Sequence, residues 1–300
     1  MSPNRKLIDY YCPICSSDNH CVLYPDTIGD KIPPFNYDFN PTHNLTYRVV
    51  KCKECGHAYS SPRPENLYLY YQDVVDTEYL KNQEQRIKTA KKVIARIRNF
   101  AKSGRLLDVG CATGDFISVA QKYYEVEGLE LSKWAVEIAR KKGFNIHQCR
   151  LNEICQNFPF DIITLWGVIE HFEFPNKEVL NISNILNPGG LVSLWTGDLE
   201  SITANLLGRK WWYFQGQHIQ MFSQRSLDRL FADCGFKKIF LEKYPYVMTM
   251  CSIAKSLCRY PVIGKLASNI LTTSWIAHKT ITIKLPGEIF AIYKKTKDIS

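Results

Sequence analysis

The stretch Leu106-Leu107-Asp108-Val109-Gly110-Cys111-Ala112-Thr113-Gly114 decides the fold. Its first four residues predict a short buried strand, and the two glycines predict a tight turn that leads into a helix over 116–123. Glycine lets the backbone approach a ligand where a side chain would clash. The stretch therefore predicts a strand–turn–helix unit that binds a ligand.

Short apolar runs and helical segments alternate along the rest of this region. Strands are predicted at 126–130, 145–147, 160–165 and 191–195, and helices at 135–142 and 177–186. This alternation favours an α/β fold with a parallel sheet covered by helices on both faces. Glu130 ends the second strand, and a carboxylate at that place can accept hydrogen bonds from both hydroxyls of a ribose.

Together these features resemble the class I S-adenosylmethionine-dependent methyltransferases. The matching segments follow the family's order and spacing over residues 100–245, and they are Asp108–Gly114, Gly128–Ser132, Phe160–Ile163, Gly167–His171 and Leu186–Gly190. The resemblance implies a Rossmann-like doubly wound sheet of the seven-strand methyltransferase type, with its last strand at 287–293. It also implies an enzyme that uses S-adenosylmethionine as its cofactor.

Seven residues are implied in cofactor binding, and they are Asp108, Gly110, Cys111, Gly114, Glu130, Leu131 and Trp166. By the resemblance, the glycine loop passes beneath the methionine part of the cofactor. Glu130 holds the ribose diol, with Leu131 beside the adenine. Trp166 lies in the segment that lines the methionine end.

Three residues are predicted to act on the acceptor, namely Glu170, His171 and His218. His171 follows a strand at the carboxyl edge of the sheet, and an ordinary pKa near 6.5 suits a general base for a hydroxyl acceptor. Orientation or packing is the alternative role for His171. Some related RNA 3′-end methyltransferases bind a metal through Glu-x-x-Glu-His and a later His. Gly167 replaces the first Glu here, and His218 would be the later ligand.

Two Cys-x-x-Cys pairs precede this region, Cys12–Cys15 and Cys52–Cys55. Each pair can form a knuckle, and two knuckles complete a tetrahedral four-cysteine zinc site. The long insert between them is tolerated because loop-closure cost grows only slowly with length. We expect a zinc ribbon with a structural zinc ion; two unrelated cysteine pairs are the alternative.

Two segments are candidates for contact with the acceptor. Residues 211–218 place aromatic rings beside amides and a histidine, which suits a sugar or another hydroxylated ring, although plain lid packing is an equal alternative. Residues 243–287 hold six Lys or Arg and no Asp or Glu, and short amphipathic helices are predicted at 253–257 and 263–271. We expect this insert to roof the acceptor pocket; contact with an anionic membrane surface is the second possibility.

Composition and organisation agree with a globular enzyme. The 300 residues are 45% hydrophobic and 22% charged, which excludes wholesale disorder, collagen and coiled coil. We expect a zinc ribbon at 1–62 and the methyltransferase domain at 104–300, with the basic insert at 246–284. Residues 63–103 are expected to form a linker that contains a long helix from about Tyr79 to Lys102. The N-terminus has no signal-peptide pattern and the chain has eleven cysteines, so we expect a reducing, cytoplasmic location, with peripheral binding at the inner membrane face as an option.

The acceptor is the least determined part of the prediction. Lys and Arg exceed Asp and Glu by 38 to 29, which favours an anionic partner without choosing one. Chains that pair this ribbon with this domain resemble enzymes that modify sugars or lipid-linked glycans. Because the C-methylating members carry a further C-terminal domain, we expect O-methylation of a sugar, a nucleotide sugar or a lipid-linked glycan intermediate. An RNA base methyltransferase and a non-catalytic binding protein are the alternatives.

Overall fold

The computed structural model describes residues 6–29, 32–37, 45–154, 159–258, 260, 264–265, 270–273 and 275–297. Its helices and strands are β1 (His20–Tyr24), β2 (Val49–Cys52), β3 (Ala58–Ser60), α1 (Thr77–Lys81), α2 (Gln83–Ile97), β4 (Arg105–Val109), α3 (Ile117–Ala120), β5 (Glu125–Leu129), α4 (Lys133–Lys141), β6 (Ile146–His147), β7 (Phe160–Trp166), α5 (Pro175–Asn184), β8 (Leu186–Gly197), α6 (Ile202–Leu207), β9 (Gln220–Met221), α7 (Gln224–Asp233), β10 (Phe236–Glu242), β11 (Pro245–Thr249), α8 (Met250–Leu257), β12 (Thr280–Lys284) and β13 (Glu288–Lys295). Short 3-10 helices occur at Leu67–Tyr71, Leu151–Glu153, Ile169–His171 and Gly208–Lys210.

The central sheet has seven strands in the order β10-β13-β8-β7-β4-β5-β6. Strands β4 to β8 are parallel, whereas β13 runs antiparallel to β8 and β10. Consecutive residues such as Leu106 and Leu107 are fully buried because both faces of the sheet are covered. The predicted Rossmann-like fold with a seven-strand sheet is thereby confirmed.

Several element bounds differ from the sequence prediction, and two of the differences change how an element is divided or where it begins. The predicted helix from Tyr79 to Lys102 is divided at Asn82, which ends α1 and begins α2, and α2 stops at Ile97. Strand β8 begins at Leu186 instead of Leu191, and its register with β7 slips between these two residues. The slip follows from the Asn-Pro-Gly-Gly turn at 187–190, whose proline and glycines suit a bulge but not a regular ladder.

A second sheet joins the N-terminal segment to the methyltransferase region. Its order is β1-β2-β3-β9, and β9 lies between β8 and α7 along the chain. The core of the N-terminal segment is continuous with that of the large sheet, since Cys12 and Tyr59 belong to the same buried cluster as Phe222 and Leu227. The segment is therefore built onto the carboxyl edge of the central sheet.

The basic insert contains a hairpin that the sequence analysis did not predict. Strands β11 and β12 pair antiparallel from Pro245↔Lys284 to Thr249↔Thr280. The helix predicted at 253–257 is found as part of α8. The helix predicted at 263–271 falls largely outside the described residues. Within the described ranges, no helix is both long enough and apolar enough to cross a membrane.

Candidate active site

A cavity of about 1020 Å³ lies at the carboxyl edge of the central sheet. Residues at or just after the ends of β4, β5 and β7 line it, and so does Trp195 of β8. Residues from α2, from α8 and from the segment 211–218 complete the lining. Open α/β sheets bind their ligands at this edge. Pockets for one ligand occupy roughly 300–1000 Å³, so this cavity lies at the upper end of that range.

The glycine loop forms one end of the cavity. Gly110 has φ +68, and a Cβ added there would lie 2.6 Å from Cγ2 of Val168, so the turn requires glycine. Glu130 is buried beside the loop: its Oε2 accepts from the backbone N–H of Ala112 at 2.9 Å, and its Oε1 accepts from Leu131 at 2.7 Å and Ser132 at 2.9 Å. These bonds fix the carboxylate at the end of β5.

Six of the seven predicted cofactor residues line the cavity, and they are Asp108, Gly110, Cys111, Glu130, Leu131 and Trp166. Gly114 is not among the lining residues. A Cβ at Gly114 would lie 2.5 Å from the Phe144 ring, so its glycine makes room for the packing of the loop against the protein. The structure thus brings the predicted set together with that one exception.

Asp108 and Arg86 bring a carboxyl group and a guanidinium to the same end of the cavity. The Asp108 carboxylate accepts a 2.6 Å hydrogen bond from the Thr164 hydroxyl, and burial raises the pKa of Asp108 to about 7. Arg86 on α2 donates from Nε to Asp115 at 2.8 Å, while its buried Nη2 has no hydrogen-bond partner within the described residues. Arg86 was not predicted from the sequence, because it is one of several Lys and Arg residues on α2 and no motif distinguishes it from them.

Aromatic side chains from the N-terminal half also line this end. Tyr37, Tyr71 and Tyr79 border the cavity, and the Tyr71 hydroxyl lies 2.7 Å from Nδ1 of His171. Burial raises the pKa of Tyr37 and Tyr71 well above the usual value. Both therefore stay neutral and can donate hydrogen bonds. No motif marks these tyrosines in the sequence, since Tyr37 lies in a loop, Tyr71 in a 3-10 helix and Tyr79 in the short helix α1.

The three predicted catalytic residues meet at the middle of the cavity. One ligand atom from each of Glu170, His171 and His218 lies within 4.8 Å of the others. Nδ1 of His171 is 2.9 Å from the Gln217 carbonyl, and Nδ1 of His218 is 2.7 Å from the Tyr213 carbonyl. A carbonyl oxygen only accepts, so the contact of His218 assigns a proton to its Nδ1 and leaves the lone pair on Nε2. The Gln217 carbonyl favours the same tautomer for His171, and in that tautomer the Tyr71 hydroxyl accepts from the same N–H.

The charge states of Glu170 and His171 are set by burial. Desolvation raises the pKa of Glu170 to about 7, although the hydroxyls of Tyr213 and Thr196 donate hydrogen bonds to its carboxylate. Desolvation lowers the pKa of His171 to about 4. At neutral pH the His171 ring is therefore neutral, but the expected pKa near 6.5 is wrong for this ring, since burial makes it a weaker base when no ligand is bound. The same cluster could also hold a metal ion, because it offers two neutral imidazoles and a carboxylate.

The four predicted zinc ligands are also close together, away from the cavity. The Sγ atoms of Cys12 and Cys55 are 3.4 Å apart and those of Cys15 and Cys52 are 3.6 Å apart, and all four lie within 4.8 Å of one another. A tetrahedral zinc with Zn–S bonds of about 2.3 Å places its sulfurs roughly 3.8 Å apart. Gly56 has φ +77 where the chain turns after the second knuckle. The donor set thus fits zinc.

Comparison with known proteins agrees with this geometry. The family model for a methyltransferase domain matches residues 82–240, which is more than half of the chain. The chain belongs to this methyltransferase family. The methyltransferase shares its fold with a Bacillus halodurans protein described as a methyltransferase, at a TM-score of 0.50 and 14% identity over 69% of this chain and 99% of that protein.

Two curated relatives match a shorter stretch of the methyltransferase. A ubiquinone biosynthesis O-methyltransferase of Coxiella burnetii is 29% identical over 98 residues, which is 30% of this chain and 42% of that protein. The ubiquinone biosynthesis O-methyltransferase of Alkalilimnicola ehrlichii is 30% identical over 97 residues, or 29% of this chain and 39% of that protein. The chain thus spans about two fifths of the length of these relatives. The predicted S-adenosylmethionine-dependent methyltransferase is confirmed, and the alternative of a non-catalytic binding protein is set aside.

Proposed function

We propose that this methyltransferase O-methylates a hydroxyl group of a small-molecule acceptor, namely a sugar, a nucleotide sugar or a lipid-linked glycan intermediate. One observation carries the proposal: a single cavity contains Glu130 at its cofactor end, His171 at its middle and the aromatic segment 211–218 beyond. A cofactor and a ring-shaped acceptor could thus meet beside a neutral imidazole.

The residues at the cofactor end fit S-adenosylmethionine. Glu130 would accept hydrogen bonds from the two ribose hydroxyls of the cofactor. Arg86 would use its unpartnered Nη2 to bind the carboxylate of the cofactor's methionine part, and Asp108 would face the ammonium group of the same part. When bound, the cofactor supplies an activated methyl group. The protein then has to align the acceptor and exclude water, which the burial of this end favours.

His171 would take the proton of the acceptor hydroxyl. Its ring is neutral because desolvation lowers its pKa to about 4, and the Gln217 carbonyl holds Nδ1 so that Nε2 carries the lone pair. Glu170 would stabilise the charge that develops on the ring. His218 would position the acceptor beside His171, since the two ring centroids are 4.8 Å apart.

The far end of the cavity supports a ring-shaped acceptor. Trp195, Trp212, Tyr244 and Tyr246 line it and offer flat faces for stacking. Residues of α8 and β12 also line the cavity, which supports the basic insert as a roof over the acceptor. The curated relatives are named as O-methyltransferases, which favours oxygen as the acceptor atom. Contact of the insert with a membrane stays a prediction.

We further propose that the four cysteines hold a structural zinc ion. Residues 1–62 would form the zinc ribbon, 63–103 would connect it to the catalytic domain at 104–300, and a cytoplasmic location would keep the thiols reduced. The contribution of zinc would be to folding, because all four positions of the ion would be filled by sulfur.

An untargeted labelling experiment tests the acceptor. The protein is incubated with methyl-labelled S-adenosylmethionine and a cell extract, and the label is measured by mass spectrometry in metabolite, lipid and RNA fractions. We expect labelled methoxy groups on metabolites or lipid-linked glycans, and at least about a hundredfold slower labelling with His171→Ala. Label confined to RNA bases, or to carbon or nitrogen atoms of small molecules, would contradict the proposal.

A further inference from the structure

Glu288 is a buried carboxyl group at the far end of the cavity, and neither the cofactor nor His171 requires it. It begins β13 and pairs with Gly197 at the end of β8. Because β13 runs antiparallel to the other strands, its first residue lies at the edge where the parallel strands end. Glu288 is only 6% exposed, yet it lines the cavity.

Aromatic residues surround this carboxyl group. The indole N–H of Trp195 donates to Oε2 at 3.0 Å, and that of Trp212 donates to Oε1 at 3.3 Å. Tyr244 stacks on Trp195 with 5.1 Å between ring centroids, and Tyr246 lies edge-on to both rings at 5.5 and 4.8 Å. We call Trp195, Trp212, Tyr244, Tyr246 and Glu288 the aromatic box.

Among the residues that the structure describes, no cation forms an ion pair with the box. Within the described part of the chain, neither Glu288 nor nearby Glu170 forms an ion pair. Burial accordingly raises the pKa of Glu288 to about 8, with a smaller contribution in the same direction from the charge of Glu170. A buried carboxylate without a counter-charge is costly, and aromatic faces attract cations. With a pKa of about 8, Glu288 is mostly protonated at pH 7 when no cation is bound. A bound cation would supply the missing counter-charge, so Glu288 would release its proton on binding and pair with the cation as a carboxylate.

We propose that the aromatic box binds a protonated amino group of the acceptor, so that the acceptor carries an amine in addition to the hydroxyl that is methylated. The Glu288 carboxylate would accept hydrogen bonds from the ammonium group. The ring faces of Tyr244 and Tyr246 would cover the remaining surface of that ammonium group. This inference rests on the proposed function, because it adds the charge of the acceptor to its hydroxyl group.

The cofactor also carries a cation, the sulfonium, so the box could in principle serve either the sulfonium or the acceptor. Tyr244 lies between the two ends of the cavity, since its ring is 5.9 Å from that of Trp166 and 5.1 Å from that of Trp195. Glu288 contacts the indoles of Trp195 and Trp212 but forms no hydrogen bond with Trp166 or the glycine loop within the described residues. This placement assigns the box to the acceptor.

The test measures binding of two matched probes to the protein saturated with S-adenosylhomocysteine. Calorimetry compares benzylamine, a cation at neutral pH, with benzyl alcohol, a neutral molecule of the same shape. We expect wild type to bind benzylamine at least about tenfold more tightly, Glu288→Gln to lose that preference, and Glu78→Gln, a substitution of an exposed acid in the same cavity lining, to keep it. Equal affinities in wild type, or an unchanged preference in Glu288→Gln, would overturn the proposal.

Two further measurements cover the case in which Glu288→Gln does not fold and the case in which Glu288 serves the sulfonium of the cofactor. If Glu288→Gln shows no cooperative thermal transition, Tyr244→Leu replaces it and should reduce the preference by removing one ring face; an unchanged preference would again overturn the proposal. If Glu288→Gln weakens S-adenosylmethionine but not S-adenosylhomocysteine, the carboxylate serves the sulfonium and the acceptor assignment is wrong. Since neither probe needs to be methylated, failure of O-methylation would count against the proposed function alone.

Discussion

His57 and Gln220 are joined across 163 residues of sequence, with 2.9 Å between Nε2 of the imidazole and Oε1 of the amide. The Gln220 amide in turn donates to the carbonyl of Phe172 at 3.0 Å. His57 is fully buried and follows the second cysteine knuckle, and desolvation lowers its pKa to about 4, so the ring is neutral. Hydrogen bonds therefore connect the cysteine cluster to the residue that follows His171.

Gln220→Leu should disturb catalysis through this connection. The substitution leaves the His57 N–H and the Phe172 carbonyl unpaired in the core, at a cost of roughly 1–3 kcal/mol. We expect a lower melting temperature and a lower kcat with unchanged cofactor affinity, and Arg229→Gln, an exposed change on α7, to alter neither. A variant that is less stable but keeps its kcat would show that the connection has no bearing on His171.

Metal analysis of protein purified without chelator should find one zinc ion per chain. Cys12→Ser with Cys52→Ser removes one ligand from each knuckle and should abolish zinc binding and lower the melting temperature, because the ion contributes to folding. Cys21→Ser is the control, since Cys21 is an exposed cysteine near the cluster that is not one of its ligands. Zinc that survives the double substitution would contradict the site. A second metal equivalent lost in His218→Ala would instead indicate a metal at Glu170, His171 and His218.

Arg86 and Glu130 should bind different parts of the cofactor, so their substitutions should weaken different sets of ligands. Glu130→Ala removes the acceptors for the ribose hydroxyls and should weaken S-adenosylhomocysteine and methylthioadenosine alike, by roughly 1–3 kcal/mol. Arg86→Met should weaken only S-adenosylhomocysteine, because methylthioadenosine lacks the carboxylate. Calorimetry gives both affinities, with Glu125→Gln at the exposed start of β5 as the control. Equal losses for the two ligands in Arg86→Met would refute its assignment to the carboxylate.

The sequence predicted those parts of the site whose signals are local. The glycine loop and Glu130 could be found because a buried parallel strand is a short apolar run, and the residues that follow it necessarily reach the carboxyl edge. His171 was found by the same rule. The cysteine pairs were visible because metal ligation fixes their spacing.

The remaining features depend on contacts between distant segments. Strand β9 has two residues and pairs with β3, and neither periodicity nor turn residues reveal such a pairing. Glu288 could have been suspected from an acid at the start of an apolar strand, but only if the antiparallel direction of β13 was considered. Arg86 is one of several Lys and Arg residues on α2, and no local pattern distinguishes it from the others.

His171→Ala should lower kcat by about 10²–10⁴-fold and leave cofactor affinity nearly unchanged, because it removes the base and no predicted cofactor contact. The rate is measured with the acceptor identified by the labelling experiment. His147→Ala, which removes an imidazole that is hydrogen-bonded to Glu127 and does not line the cavity, is the matched control.

The pH dependence of the rate distinguishes His171 from its neighbour. The imidazole accepts a proton only when neutral, and its pKa of about 4 means that this form is lost only as the pH falls towards 4. The pKa of Glu170 is raised to about 7, so the carboxylate that stabilises the charged ring forms as the pH rises through 7. We therefore expect the wild-type rate to rise between pH 6 and 8 and this rise to vanish in Glu170→Gln. A His171→Ala variant that keeps more than about a third of the wild-type kcat with the same pH profile would show that alignment alone carries the reaction.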